Sequence, residues 1–412
     1  MISFRMLKAS DSRLWWSVGG LIVISLLMIF SVTHKIQLSY NADQFLFVKR
    51  QLLAVIVGLG GMGLLMYFDY RHLKAAAPFI YIATILLLTI VLFTGTSAQG
   101  AQRWMAFGPL SFQPSEISKL GIIIALAAFF DQRKKITSVW ELLCLLGLIG
   151  LPFLLIFKQP DLGTALVFGA ILLGMLAASR SSPRLLILLT TPVISLLLRP
   201  VLWLWLLYLL LLIVWLFLSR AKFWDWLLIL GLNIAVGVAL PVMWGMLKAY
   251  QQQRILVFLN PEADPFGAGY HSLQSKIAIG SGGLIGKGWL QGSQTQLQFI
   301  PEQHSDFIFS AVGEEFGFLG AAMVIFLFAN MIWQGLRISE EARDNFGYLL
   351  AGGIVSMVCF HVFANIGMAI GILPVVGIPL PFMSFGGTSL FMNLLAIGLL
   401  QNIAMRRNKL IF

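Results

Sequence analysis

Eleven long apolar runs, separated by short polar connections, constrain the fold of this chain more than any other feature. They lie near residues 14 to 33, 48 to 68, 78 to 95, 116 to 130, 138 to 157, 162 to 178, 185 to 219, 225 to 247, 307 to 333, 346 to 372 and 386 to 405. A membrane-spanning helix needs about 20 consecutive apolar residues. Only 11% of the residues are charged, against roughly 25% in soluble domains. The sequence therefore predicts an all-α polytopic membrane protein that forms a single membrane domain over residues 1–412.

The run at 185–219 is about twice as long as one crossing requires. Arg199 and Pro200 interrupt it near its middle, and proline disfavours a continuous helix. We therefore expect an inserted helical hairpin there, which brings the total to about 12 transmembrane helices. Five tryptophans of this region are expected to face lipid, with docking of a partner as the weaker alternative: Trp203, Trp205, Trp215, Trp224 and Trp226.

The basic residues predict the orientation of these helices. The net charge is +11, but Lys and Arg occur in short clusters between apolar runs, as expected for cytoplasmic anchors rather than for nucleic-acid binding. With a cytoplasmic N-terminus, the cytoplasmic connections are 69–74, 131–135, 180–184, 220–225, 337–344 and the tail at 406–409, and each carries at least two Lys or Arg. The opposite connections are poorer in Lys and Arg for their length. Both termini are then cytoplasmic.

The segment at 248–305 is the longest polar stretch, and this orientation places it on the outer face. It is too polar to span a membrane, yet it carries apolar residues such as Phe258, Ile277 and Trp289. We expect a large folded loop that lies against the membrane surface.

Ionisable residues at membrane depth are costly and are functional candidates by default. Glu116 and Lys119 are three residues apart at the start of an apolar run, so they share one helix face. The simpler interpretation is a local ion pair that follows a capping-like Ser-Glu start. Asp161, in the turn Gln-Pro-Asp-Leu-Gly, also fits a helix N-cap.

The outer loop contains two further motifs. Asp264 lies among turn residues, where an Asp before Pro often serves only the turn, although it is also a candidate base. The glycine-rich stretch at 280–288 lacks the spacing of a nucleotide-binding loop. Close backbone packing is the favoured interpretation, and a phosphate-binding nest of backbone N–H groups remains an alternative.

Two segments that precede apolar runs carry polar candidates. Glu302, His304 and Asp306 alternate before the run at 307, a pattern that suits either a divalent ion or, more simply, hydrogen bonds at a helix entrance. Ser384 lies in the turn at 381–389, where helix capping is the simpler interpretation.

Five blocks together resemble the SEDS (shape, elongation, division and sporulation) family. The resemblance covers nearly the whole chain and is closer to the elongation branch than to the septal branch. The blocks are GAQRW at 100–104, FQPSEISKL at 112–120, QPDLGTA at 159–165, the loop sequence at 260–309 and GILPVVGIPLPFMSFGGTSL at 371–390. Members of this family usually have ten helices, so the hairpin at 185–219 would be an insertion that keeps the loop on the outer face.

The resemblance implies a peptidoglycan glycosyltransferase of the bacterial inner membrane. Such an enzyme polymerises lipid II into β-1,4 glycan, releases undecaprenyl pyrophosphate and serves cell elongation. The essential aspartate of the family falls on Asp264, and its cavity residues fall on Arg103, Glu116, Lys119 and Asp161. His304 and Ser384 are our additional candidates for substrate binding.

The expected partners are lipid II, membrane lipid, the elongation machinery and a class B penicillin-binding protein, and no nucleic acid is expected. A divalent cation, Mg²⁺ or Mn²⁺, stays open as a cofactor, because the sequence assigns no metal ligands. Two other functions fit the same pattern: a lipid II flippase, and a scaffold that only recruits a penicillin-binding protein.

Overall fold

Apolar helices form the body of the protein. The computed structural model describes residues 9–98, 101–107, 110–133, 139–159, 161–179, 183–219, 222–247, 249–259, 269–300 and 302–407. The twelve apolar helices in these ranges are α1 Ser12–Ser39, α2 Leu46–Tyr67, α3 His72–Thr94, α4 Pro114–Gln132, α5 Val139–Lys158, α6 Leu162–Ala178, α7 Pro183–Leu198, α8 Leu202–Leu218, α9 Phe223–Met246, α13 Ile308–Glu340, α14 Asn345–Ala369 and α15 Gly387–Met405. Seven of them are long and apolar enough to span a membrane by length and composition.

The run at 185–219 folds as two helices, as predicted. α7 and α8 are joined by the turn at Arg199 and Pro200, and α9 packs against both. A small apolar core of these helices lies apart from the main one. Most of the five tryptophans are exposed, but Trp205 is buried and donates to the Ser195 hydroxyl at 2.7 Å, so the expectation that it faces lipid is wrong.

A small antiparallel sheet precedes α4 and was not predicted. It contains β1 Thr96–Ala98, β2 Ala101–Phe107 and β3 Leu110–Phe112, in the order β1-β2-β3. β2 packs against α3 and α4, and β3 packs against α15. The sheet therefore lies over the N-terminal ends of α4 and α15.

The main core brings α4, α6, α13, α14 and α15 together, with α1 and α2 against them. Close helix contact depends on small residues, as is common in membrane bundles. A Cβ at Gly58 of α2 would lie 2.4 Å from Leu394 of α15, and one at Gly353 of α14 would lie 2.7 Å from Ile123 of α4. These contacts hold α2 close against α15 and α14 close against α4.

The segment between α9 and α13 is folded. It contains α10 Ala249–Leu259, α11 Tyr270–Ser281 and α12 Ser293–Gln296. α11 packs against α13 and α14, and α12 packs against α1. α11 and α12 therefore lie against the helix bundle.

The glycine-rich stretch packs its backbone against a kink in α13. The N–H groups of Lys287 and Gly288 donate to the carbonyl oxygens of Glu314 and Glu315, both at 3.0 Å. A Cβ at Gly286 would lie 2.2 Å from the Glu315 carbonyl oxygen. The packing interpretation is therefore confirmed, since these two N–H groups are already bound to protein carbonyls.

Candidate active site

The predicted pair Glu116 and Lys119 is a buried ion pair in α4. The helix begins at Pro114, whose fixed φ suits the first helical position, and the N-cap Gln113 makes no side-chain cap. Lys119 Nζ lies 2.7 Å from Glu116 Oε1, with both side chains at most 5% exposed. The second oxygen, Glu116 Oε2, has no hydrogen-bond partner among the described residues. This pair is therefore not a simple surface ion pair, because burying two charges is costly and one carboxylate oxygen has no hydrogen bond in the described residues.

His361 of α14 completes this group. Its Nε2 lies 3.0 Å from Lys119 Nζ, and its Nδ1 lies 2.7 Å from the carbonyl oxygen of Met357. A carbonyl oxygen can only accept, so Nδ1 carries the proton and Nε2 accepts from the ammonium. An ammonium has three N–H donors; with one to Glu116 and one to His361, the third has no acceptor among the described residues and can point to a ligand.

Asp161 caps α6 and lies next to the start of α4. Its Oδ1 accepts from the Thr164 N–H at 3.1 Å, and its Oδ2 accepts from the Thr164 hydroxyl at 3.0 Å. The Gln113 side-chain amide lies 3.5 Å from the same Oδ2. The predicted N-cap is confirmed, and the cap connects two helix starts.

α15 begins at the same place. The backbone N–H of Gln113 donates to the Thr388 hydroxyl at 3.3 Å, so the N-terminal ends of α4, α6 and α15 meet around Gln113. A helix N-terminus carries partial positive charge and unpaired N–H groups. Three of them meeting at the start of the helix that carries Lys119 make this region favourable for an anion.

Asp306 lies near Asp161, in the segment just before α13. The Asn365 side-chain amide holds this segment in place, since it donates to the carbonyl oxygens of Asp306 at 2.9 Å and Ile378 at 2.8 Å. Burial, reinforced by the carboxylates of Glu302 and Asp161, raises the pKa of Asp306 to about 6, while Arg254 acts in the opposite direction. Asp306 can therefore hold or release a proton close to neutral pH.

His304 and Ser384 join this segment to the loop before α15. The Ser384 hydroxyl donates to the Ser305 carbonyl at 2.6 Å and accepts from the Leu380 N–H at 2.8 Å. α15 has no side-chain cap, so the simple capping interpretation of this turn is wrong. The His304 ring packs against Phe47 and Phe385, and burial lowers its pKa, partly offset by Glu302.

The described residues contain no group of three His, Cys, Asp or Glu side chains placed to hold a metal ion. In the alternating segment, His304 Nε2 lies 3.8 Å from Glu302 Oε2. The described side chains therefore do not fit a divalent cation that the protein alone would hold.

A family comparison decides how the chain is classified. The sequence profile of the FtsW, RodA and SpoVE family, described as "Cell cycle protein", matches residues 12–210 and 185–409. The chain belongs to this family. Its two matched stretches overlap at 185–210, within the run that folds as α7 and α8.

Curated members of the FtsW, RodA and SpoVE family are similar over most of their length. The chain is 37% identical to the peptidoglycan glycosyltransferase MrdB of Escherichia coli strain K12 over 363 residues, 88% of this chain and 87% of the relative. It is 35% identical to the peptidoglycan glycosyltransferase RodA of Treponema pallidum, with 87% and 89% covered. A probable FtsW of Geobacter metallireducens is 32% identical, with 94% and 92% covered.

Solved structures show the same fold. A chain from a study of the structural coordination of polymerization and crosslinking by a peptidoglycan synthase complex superposes with a TM-score of 0.72 at 29% identity. It covers 97% of this chain and 99% of that chain. The rod shape determining protein RodA of Thermus thermophilus gives a TM-score of 0.62 at 25% identity, with 97% and 98% covered.

The side chains of two predicted site residues are not described by the structure. Asp264 is outside the described residues altogether, and Arg103 lies in β2 while its side chain is not described. Glu116 and Lys119 pair directly, and Asp161 lies beside Gln113 at the start of the same helix. His304 and Ser384 lie in neighbouring segments. The catalytic and substrate-binding roles of all seven stay predictions.

Sequence reasoning missed three contributors: His361, Asn365 and Asp306 as a site residue in its own right. His361 and Asp306 carry the signal already used for Lys119, an ionisable side chain in or beside an apolar run. Asn365 follows His361 by four residues, so both lie on one face of α14. The four-residue spacing of His361 and Asn365 would have indicated a polar face on α14.

Proposed function

We propose that this chain is a peptidoglycan glycosyltransferase. It polymerises lipid II into β-1,4 glycan strands, releases undecaprenyl pyrophosphate and serves cell elongation and rod shape. The observation that carries the proposal is the meeting of three helix N-termini around Gln113, at the start of the helix that carries the buried ammonium of Lys119. This arrangement suits the pyrophosphate of a lipid-linked sugar, and the MrdB and RodA relatives bear the same activity in their names.

Forming a β-linkage from an α-linked sugar pyrophosphate inverts the anomeric carbon. One base must remove the proton of the attacking hydroxyl, and we assign this role to Asp264. The leaving pyrophosphate gains charge in the transition state and needs fixed positive groups. Lys119 supplies one through its third N–H, with Arg103 as a second, while Glu116 and Asp161 hold these cations and the helix ends in position.

The catalytic site lies at the outer surface of the bacterial inner membrane. Both termini and the short connections that are rich in Lys and Arg face the cytoplasm, which places the segment at 248–305 outside. The N-terminal ends of α4, α6 and α15 then lie at the outer boundary, where the polar headgroup and the polyprenyl tail of lipid II meet.

The partner is a class B penicillin-binding protein that crosslinks the new strand, within the elongation machinery. One of the similar solved chains comes from a peptidoglycan synthase complex in which polymerization and crosslinking are coordinated, and this likeness supports the proposal. The chain forms one membrane domain, in which α7 and α8 are an insertion relative to the family. The overlap of the two profile matches at 185–210 supports the insertion.

The test is a polymerisation assay with purified protein, labelled lipid II and a class B penicillin-binding protein, with products resolved by length. Wild type should give glycan ladders, Asp264→Ala should give none, and Glu262→Ala, in the same loop, should behave as wild type. Lys119→Ala should reduce polymerisation more than partner binding.

Movement of lipid II across vesicles without chain growth would instead establish the flippase. Normal partner recruitment together with wild-type behaviour of Asp264→Ala and Lys119→Ala would establish the scaffold.

A further inference from the structure

Three arginines surround a cavity at the end of the bundle opposite the candidate active site. The cavity has a volume of about 260 Å³ and is lined by Ser10, Asp11, Ser12, Arg13, Arg337, Glu341 and Arg407. The lining comes from the start of α1, the end of α13 and the residues after α15. It lies at the end where the charge pattern places the cytoplasm.

The backbone around this cavity is held firmly. Gln401 of α15, fully buried, receives the Asp11 N–H at 2.8 Å and donates to the Asp11 carbonyl at 2.9 Å. The carboxylate of Glu341 pairs with Arg407 and lies 3.6 Å from Arg337 Nη2. The two guanidinium groups are therefore oriented by one carboxylate, and each keeps N–H donors that this carboxylate does not use.

The lining carries a net positive charge. Three arginines face two carboxylates, and one of these, Asp11, serves as the N-cap of α1 through the Leu14 N–H at 3.0 Å. The positive end of the α1 dipole offsets that carboxylate. Arg13 makes no ion pair with any carboxylate of the described residues, so its charge has no counterpart in the described part of the wall.

Two exposed tryptophans give the depth of the cavity in the membrane. Trp16 follows Arg13 by three residues on α1, and Trp333 precedes Arg337 by four residues on α13, with exposures of 79% and 62%. Exposed tryptophans near the ends of spanning helices mark the headgroup level of the bilayer. The arginines are thus one helical turn from that level, within reach of lipid phosphates.

We propose that this cavity binds the phosphodiester headgroup of an anionic membrane lipid. Arginine forks match phosphate oxygens, and basic pockets between helices on the cytoplasmic side suit anionic headgroups. The volume is just below the roughly 300–1,000 Å³ of pockets for drug-sized ligands, which fits a headgroup whose tails stay in the bilayer. The site is distinct from the lipid II site, which lies at the other end of the bundle.

The experiment measures thermal unfolding of the full-length protein in neutral detergent. Phosphatidylglycerol, phosphatidylcholine and inorganic phosphate are each titrated into wild type, Arg13→Gln and Arg343→Gln. Arg13 has no carboxylate partner in the described residues, so its loss should leave basal stability intact. Arg343 is an exposed arginine at the same end that does not line the cavity, and it serves as the matched control.

Phosphatidylglycerol should raise Tm of wild type and Arg343→Gln, with phosphatidylcholine giving a much smaller shift. In Arg13→Gln the apparent affinity for phosphatidylglycerol should fall about tenfold, as for the loss of one charge-assisted hydrogen-bonded pair. An equal response of all three proteins would overturn the proposal. A phosphate response that matches that of the lipid, and is lost in Arg13→Gln, would overturn the lipid source and leave a soluble-anion site.

Discussion

Replacing His361 with leucine tests the arrangement around Lys119. The imidazole accepts a hydrogen bond from the ammonium at 3.0 Å and is itself held by the Met357 carbonyl at 2.7 Å. Leucine has a similar volume but no acceptor. The ammonium would then keep only Glu116 and turn its free N–H groups away from their present direction. His361 is a positioning residue here, since it acts on substrate only through Lys119.

The size of the effect follows from this contact. A hydrogen bond to a charged group contributes about 1.5–3 kcal/mol, and each 1.36 kcal/mol of transition-state stabilisation is a factor of ten in rate. If the ammonium acts on the leaving pyrophosphate, kcat should fall roughly 10- to 150-fold. KM should change little, because charge on the pyrophosphate oxygen develops mainly in the transition state.

The measurement is the initial rate of glycan formation over a range of lipid II concentrations. His361→Gln is the matched variant, because its side-chain oxygen can still accept from Lys119, and it should keep most of the activity lost in His361→Leu. Thermal unfolding confirms that both variants are folded. A folded His361→Leu protein with the kcat of wild type would refute the reasoning, and so would equal losses in the two variants.

Two further predictions concern other parts of the fold. The pKa of Asp306 is raised from 3.8 to about 6, so the folded chain binds the Asp306 proton more tightly than the unfolded chain does. Protonated Asp306 therefore stabilises the fold at low pH, and this stabilisation is lost as pH rises from about 4 to about 7. Asp306→Asn does not titrate there, so Tm of wild type relative to this variant should fall across that range; parallel curves would contradict the assignment. Gly286→Ala should lower stability by about 2–4 kcal/mol, because φ is 91° and the new Cβ would lie 2.2 Å from a carbonyl oxygen. Gly280→Ala, whose added Cβ would meet no atom within 4 Å, should leave stability unchanged or raise it by up to about 1 kcal/mol in the same assay, because Ala favours a helix.

The helices were predictable because their signal is local. Each apolar run is long enough to be read without knowing its neighbours, and even the break at Arg199 and Pro200 follows from the chemistry of proline. The sheet at 96–112 escaped prediction because its three strands are short and irregular in pattern. Its antiparallel pairing depends on the helix ends beneath it.

The direction in which a residue faces was harder to predict. Trp205 belongs to a run of almost uniformly apolar residues, so no periodicity separates its buried face from the lipid face. It is buried because Ser195 offers its hydroxyl at 2.7 Å and because α9 has Gly237 opposite the ring, where a Cβ would lie 2.4 Å away. Such pairing across helices is not visible in the sequence of one of them.

The candidate site was partly predictable for the same reason. Lys119 and Glu116 are close in sequence, so their pairing follows from helix geometry. His361 lies 242 residues from Lys119, and only the packing of α14 on α4 brings it near. A histidine within an apolar run can be identified from the sequence as a candidate site residue, but the residue that it contacts cannot.

The depth of the polar groups favours polymerisation over transport. Lys119 is five residues beyond the start of α4, which is about 8 Å at 1.5 Å per residue. Below it the buried face of α4 is apolar, with Ile122, Ile123 and Leu126 fully enclosed. Moving a pyrophosphate across the bilayer would require polar groups near the midplane to replace its water, and α4 carries no charged residue between Lys119 and Asp131 near its C-terminal end. A site of this depth can bind a headgroup at the membrane boundary and promote its reaction there, but α4 offers it no further path inward.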